Sequence, residues 1–242
     1  MPLYSPASPL PINMERRRTF NPSRIDGLQL WLDATKGLFD ATSGGNPVTT
    51  DDATVARWED QSGNSNHFTQ ATTNDRPKLK TYIKNNKNII RFDGVFDSMQ
   101  KTAIFTSQPY TIFFVFSFAS GGRMMAGIVN NWLLGSWNGK SNRAFNGGWV
   151  FEGTSTSTAF QLATFKCNSS GSIYYQNTTQ FGSSGGTGSP SGLIIGRGDA
   201  GTNPDKEPAA GDICEIVAYN KDLSATNLTL VNSYLNSKWA VY

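Results

Sequence analysis

The chain has 242 residues, 38% of them hydrophobic and 12% aromatic, enough to fill the interior of one large β domain and too many for a chain disordered throughout. With 24 glycines and only 16% charged residues, the composition suits short strands joined by tight turns and argues against an all-α fold. The formal charge of +3 arises in residues 1–25, where Arg16, Arg17, Arg18 and Arg24 stand against Glu15 alone; the remainder is balanced and has no basic stripe to track a phosphate backbone, which excludes nucleic acid as an expected partner.

Residues 1–24 contain Pro2, Pro6, Pro9, Pro11 and Pro22, which remove backbone donors and favour an extended arm. Leu3, Tyr4, Leu10 and Ile12 give this arm apolar anchors and Arg16, Arg17 and Arg18 give it charge, so docking on an acidic, partly apolar neighbour is expected of it. Met1 is not followed by a basic stretch and an apolar run of the secretory kind, and synthesis in the cytosol is expected. The apolar run from Ile112 to Phe118 is far short of the roughly 20 residues that span a bilayer, so no membrane segment is expected.

From Gly27 the pattern alternates, with Leu28, Leu30 and Leu32 on one face and Gln29, Trp31 and Asp33 on the other. Asp60 to Asn66 is dense in residues that bond back to their own backbone and reads as an ordered turn. Strands are expected over residues 88–92, 110–118, 123–130, 132–136, 148–152, 159–166, 172–176, 192–196 and 212–219. The second of these is apolar on both faces, as a central strand covered on both sides would be. The stretch 182–192 is rich in Gly and Ser and reads as a mobile surface loop. One helix closes the chain: Ser224 can cap it, and Leu228, Val231, Leu235 and Trp239 form its apolar stripe. Cys167 and Cys214 are expected to be buried thiols, with a bridge between them left open because the spacing cannot supply their separation.

Several segments together resemble the concanavalin A-like lectin/glucanase superfamily in its laminin-G-like form, which is common in bacterial surface proteins and phage structural proteins. They are residues 20–34 (FNPSRIDGLQLWLDA), 58–66 (WEDQSGNSN), Arg76-Pro77, 90–99 (IRFDGVFDSM), 194–197 (IIGR) and 211–220 (GDICEIVAYN), followed by the terminal helix. The resemblance implies an all-β, antiparallel two-sheet jelly-roll sandwich over residues 25–242, with the extended arm before it and one short C-terminal helix. It also implies a role in attachment: a virion surface component, either a phage head decoration or a tail-fibre module, bound to a capsid or tail protein as an oligomer or on a lattice. A host-glycan adhesin and an atypical glycoside hydrolase are the alternatives.

The residues qualify these roles. Glucanase relatives carry alternating carboxylates on one strand so that both enter one cleft. Here Glu59-Asp60 and the Asp212, Glu215 pair are odd-numbered steps apart, so no catalytic residue and no enzyme is expected. Gly182 to Gly186 matches a nucleophile elbow only within the Gly/Ser stretch, with His67 the single histidine, and is taken as chance. Arg197-Gly-Asp199 and the three Asn-x-Ser/Thr sequons, at Asn168, Asn177 and Asn227, are read as ordinary strand-end and turn residues. No cofactor is expected beyond a calcium ion, for which Asp60, Asn64 and Asn66, or Asp93 and Asp97, are candidate oxygen ligands; the competing role for the first three is to tie up the turn. For a glycan the candidates are Trp132, Trp137 and Trp149 with Asn131, Asn138 and Asn146. Core packing competes for Trp132 and Trp149, and Trp137, followed by Asn138-Gly139, is the one expected to face solvent.

Overall fold

A computed structural model describes residues 20–198 and 206–242. In chain order its strands are β1 (Leu28–Asp33), β2 (Leu38–Phe39), β3 (Arg57–Trp58), β4 (Phe68–Thr69), β5 (Lys78–Lys84), β6 (Lys87–Asp93), β7 (Met99–Thr102), β8 (Tyr110–Gly121) and β9 (Met125–Gly127). They continue with β10 (Trp132–Trp137), β11 (Lys140–Asn146), β12 (Trp149–Glu152), β13 (Gln161–Asn168), β14 (Gly171–Gln176), β15 (Thr179–Ser184), β16 (Gly192–Ile195) and β17 (Ala209–Tyr219), before helix α1 (Ala225–Trp239).

These strands form two antiparallel sheets. The first runs β15-β14-β13-β8-β17-β6-β5, with β1 pairing the second half of β17. The second runs β12-β11-β10-β9-β16-β7-β4-β3-β2. Tyr110, Ile112, Phe114, Phe116 and Phe118 point from β8 into the core between the sheets, where they meet Trp58, Met99, Trp132, Leu134 and Leu193. Phe113 and Val115 point the other way, under the helix. Because a strand alternates its side chains, the doubly apolar sequence of β8 requires cover on both faces, and α1 supplies the second cover. Each such aromatic contributes on the order of 2–3 kcal/mol by leaving water.

Helix α1 has the expected cap, with the Ser224 hydroxyl accepting from Asn227 N (3.3 Å), and it buries Val231, Leu235 and Trp239 against Ile89, Val217 and Tyr219. Its attachment is also polar. The wholly buried Glu215 carboxylate of β17 accepts from Trp31 Nε1 (2.7 Å), Tyr234 OH (2.8 Å) and Trp239 Nε1 (2.6 Å). Lys238 Nζ lies 2.7 Å from both Glu215 and Asp33. Among the described residues no helix is long and apolar enough to cross a membrane.

The structure departs from the sequence expectations at several points. Leu28 joins the helix-side cluster rather than the main core that holds Leu30 and Leu32, because the β1/β17 register shifts between Leu28 and Leu30. The folded body begins before residue 25: Phe20 packs on Tyr234 with ring centroids 5.9 Å apart, and Tyr219 OH donates to the Pro22 carbonyl (3.0 Å). The arm residues Leu3, Tyr4, Leu10, Ile12, Arg16, Arg17 and Arg18 lie outside the described residues. The stretch 182–192 is not a free loop. It begins as the end of β15, and its Gly186 and Gly188 carbonyls accept from Ser172 Oγ (2.6 Å) and Tyr110 OH (3.1 Å). Cys167 sits in the main core and Cys214 in the helix-side cluster; both are free, buried thiols.

Candidate functional site

One end of the sandwich gathers the turn between β6 and β7, the end of β8, the β10–β11 hairpin and the approach to β17. They enclose a broad shallow hollow of about 710 Å³ lined by Gly94, Gly121, Gly122, Gly139, Trp137, Asn138, Glu207 and Pro208. The hairpin turn forms because Asn138 and Gly139 both take positive φ (48° and 71°), a conformation that Asn and Gly adopt readily, and this holds Trp137 at the lip.

Trp137 extends an aromatic surface on the outer face of the second sheet. Leu134, Ala144 and Val150 point inward to the core, so by alternation Arg143 and Phe145 point outward. The Trp137 and Trp149 rings lie 5.4 Å apart, and Trp149 meets Phe145 at 5.3 Å. The Arg143 guanidinium rests against both tryptophans, 5.2 and 5.3 Å from their centroids. Its charge is occupied, with Nε donating to the Gly153 carbonyl (3.0 Å) and Nη1 lying 3.6 Å from Glu152. Trp137 Nε1 donates to Glu207 (2.7 Å), whose other carboxylate oxygen pairs with Arg123; Arg123 in turn donates to Asn131 (2.9 Å). The ring is therefore fixed in place, while Lys140, which faces it across the hairpin, makes no ion pair among the described residues.

The other sequence candidates fall elsewhere. Trp132 is completely buried, packed edge-on against Phe165 at 5.3 Å, and is corrected from a glycan candidate to a core residue. Asn146 is likewise structural: its amide donates to Ser172 Oγ (2.8 Å) and to the Gly188 carbonyl (3.2 Å). Asp60 accepts from Trp31 N (2.9 Å), Ser62 N (2.9 Å), Ser62 Oγ (2.7 Å) and Asn66 N (3.0 Å), while Asn64 and Asn66 donate to the Leu28 and Gln29 carbonyls (both 2.8 Å). A carboxylate surrounded by N–H and O–H donors is arranged to hold a turn, and a cation there would have to displace them. The single histidine serves the same turn, His67 Nδ1 accepting from Asp60 N (3.1 Å). Arg197 is buried against Asp75 (3.2 Å) and Asp199 lies outside the described residues. Among the described residues no three His, Cys, Asp or Glu side chains converge as a metal site.

Asp93 and Asp97 bracket the β6–β7 turn. Asp93 Oδ1 accepts from Val95 N (2.8 Å) and Phe96 N (3.2 Å), and Asp97 Oδ2 accepts from Asp93 N (3.0 Å). Burial and the neighbouring Asp93 push the Asp97 carboxyl up to about 7. The two acids line a second cleft, of about 700 Å³, on the far side of the turn from Trp137. Glu207 was missed by sequence reasoning because its partner Trp137 lies 70 positions away and nothing local marks the pair.

Comparison with solved structures shows what the fold is similar to. The binding domain of Paraclostridial Mosquitocidal Protein 1 superposes with a TM-score of 0.60 at 14% identity, over 89% of this chain and 54% of that one. A Trypanosoma rangeli sialidase gives 0.58 at 12% identity, over 87% and 33%. The fold shared with these proteins is the antiparallel two-sheet β-sandwich. A GH54 α-L-arabinofuranosidase gives the same likeness, with a TM-score of 0.58 at 13% identity over 78% and 52%. The chain thus spans about half or less of each of these proteins. No family model and no curated protein sequence matches it.

Proposed function

We propose that this lectin-like chain is a non-catalytic attachment module that binds a neutral glycan on Trp137. The observation that carries the reading is the fixed, partly exposed Trp137 ring at the lip of the hollow, backed by Trp149 and Arg143 and oriented by Glu207. An indole face offers apolar area to the C–H face of a sugar, and the exposed Asn138 at the same lip offers it an amide. Arg123 and Arg143 are engaged by Glu207, Glu152 and the Gly153 carbonyl, which supports a neutral rather than an acidic sugar. The non-catalytic part rests on Asp212 and Glu215 occupying separate environments, one paired with Arg91 and the other beneath the helix. Electrophoresis of the full chain through gels containing neutral polysaccharides should show retardation by at least one of them, with no release of reducing sugar. Unretarded migration through every neutral gel, or sugar release, would overturn the reading.

In its finer form the module is a virion component, a phage head decoration or tail-fibre protein held to its lattice by residues 1–24. The basic, proline-rich composition of that segment supports this form. Deleting residues 1–19 should abolish incorporation into particles while leaving the unfolding midpoint unchanged; normal incorporation would refute the docking role.

A further inference from the structure

A third hollow, of about 260 Å³, lies on the outer face of the first sheet, between β13–β14 and the N-terminal half of α1. Phe113 and Leu162 belong to the helix-side cluster and Tyr174 to the main core. By alternation Thr164 and Tyr175, paired across β13 and β14, therefore point outward and form the floor of the hollow. Leu228 and Asn232, one turn apart on α1, form its wall. Tyr242 joins them, held on the helix by Asn236 Oδ1, which accepts from Tyr242 N (2.9 Å). Among the described residues no charged side chain lines the hollow, and Lys166, the next outward residue of β13, is paired with Asp222 (2.6 Å).

Two polar groups in this hollow are not used by the fold. Asn232 is 8% exposed, and its amide has no partner among the described residues: Oδ1 is buried without a donor and Nδ2 makes no hydrogen bond. Thr164 is 2% exposed, and its hydroxyl likewise makes no hydrogen bond among the described residues. Packing alone would favour leucine and valine at these positions, because a buried amide or hydroxyl without a partner costs stability that an apolar side chain does not. A half-turn about the Asn232 Cβ–Cγ bond exchanges Oδ1 and Nδ2, so the amide can present a donor or an acceptor to the hollow. The group that matches it in either orientation is a hydroxyl, which donates and accepts.

We propose that this hollow is a second ligand site, which takes a single neutral hexopyranose ring with its hydroxyls directed at Asn232 and Thr164. The volume is below the roughly 300 Å³ at which pockets for drug-sized ligands begin, so it admits one ring rather than a chain of them. Tyr175 and Tyr242 supply aromatic area for the C–H groups of the sugar. The uncharged lining offers no counter-ion to a carboxylate or an ammonium group. The hollow lies on the first sheet and Trp137 on the second, so the site is independent of the Trp137 reading.

The test is titration of the isotope-labelled full chain, followed by amide NMR, with the methyl glycosides of α-D-glucose, α-D-mannose and β-D-galactose, and with methyl β-D-glucuronoside as a charged control. At least one neutral glycoside should shift the Asn232 side-chain amide together with the backbone amides of Thr164 and Tyr175, and the glucuronoside should not. Asn232→Leu should weaken the Thr164 and Tyr175 response about tenfold or more while melting no lower than wild type. Thr164→Val, which removes only the hydroxyl, should also weaken the response, and Trp137→Ala should leave it unchanged. No shift of these amides with any neutral glycoside, an equal response to the glucuronoside, or an unchanged response in Asn232→Leu and Thr164→Val would overturn the proposal. An Asn232→Leu variant that melts below wild type would overturn it too, by showing that the fold uses the amide. Shifts confined to the Trp137 indole would keep the first reading and overturn this one, and loss of the response in Trp137→Ala would assign the binding to the first hollow instead.

Discussion

Glu215 is the group whose removal should separate the helix from the sandwich. It lies at the centre of a closed network in which Oε1 accepts from Trp31 and Tyr234 while Oε2 accepts from Trp239 and faces Lys238. Burial, with Asp33 close by, raises its carboxyl above the usual range; Lys238 and the Trp239 donor oppose that rise. Glu215→Ala strands two buried donors and one part-buried one, each costing about 1–3 kcal/mol, and leaves Asp33 as the one carboxylate beside Lys238. Because these terms share one site they do not add, and a total of about 3–5 kcal/mol is expected. Glu215→Gln keeps Oε1 for Trp31 and Tyr234 but turns an amide N–H toward Trp239 and Lys238, so a cost of about 2 kcal/mol is expected. Urea unfolding should rank wild type above Glu215→Gln above Glu215→Ala. Hydrogen exchange should show the amides of α1 losing protection in the alanine variant while those of β8 keep theirs. An alanine variant within 1 kcal/mol of wild type, or equal loss of protection in α1 and β8, would refute the claim that this carboxylate fastens the helix.

Asp97 makes a pH-dependent prediction. Its folded value of about 7 lies above the ordinary aspartate value of 3.8, so its stabilising contribution is complete below about pH 4 and is lost as pH rises through 7. Asp97→Asn should therefore be more stable than wild type at pH 8.5, by about 1–2 kcal/mol after allowance for solvent screening, with the gain shrinking toward pH 5. Thermal melts across that range test it, and a gain that does not change with pH contradicts the assignment. Gly196, at φ 88°, lies against the Phe92 ring and the Asp97 carbonyl, where a methyl group has no room. Gly196→Ala should cost about 2–4 kcal/mol in urea unfolding, and a cost below 1 kcal/mol would show that the turn adjusts freely.

Legibility in the sequence followed the apolar residues. The stripe of Val231, Leu235 and Trp239 and the two-faced β8 were readable because burial selects hydrophobic side chains at periods of 3.6 and 2. Strand β11 was not readable. Its Ser141, Asn142, Arg143 and Asn146 are buried yet polar, satisfied by Ser155, the Gly153 carbonyl and Ser172, contacts that no local pattern announces. The same blindness made 182–192 look like a free loop, since backbone carbonyls rather than side chains fasten it. At the candidate site, Trp137 was visible through the Asn138-Gly139 turn beside it, whereas Trp132 and Trp137 are alike in composition and differ only in which side of β10 they occupy. Asp93 and Asp97 drew notice as oxygen ligands; that they line one cleft required the third dimension.

The most direct test of the glycan reading is a printed array of neutral and acidic glycans probed with the intact chain and with Trp137→Ala side by side. Wild type should bind a set of neutral glycans, and the variant should lose about tenfold or more of that signal while its melting temperature stays within a few degrees of wild type. Binding confined to acidic glycans, or a Trp137→Ala variant that binds as wild type does, would contradict the account.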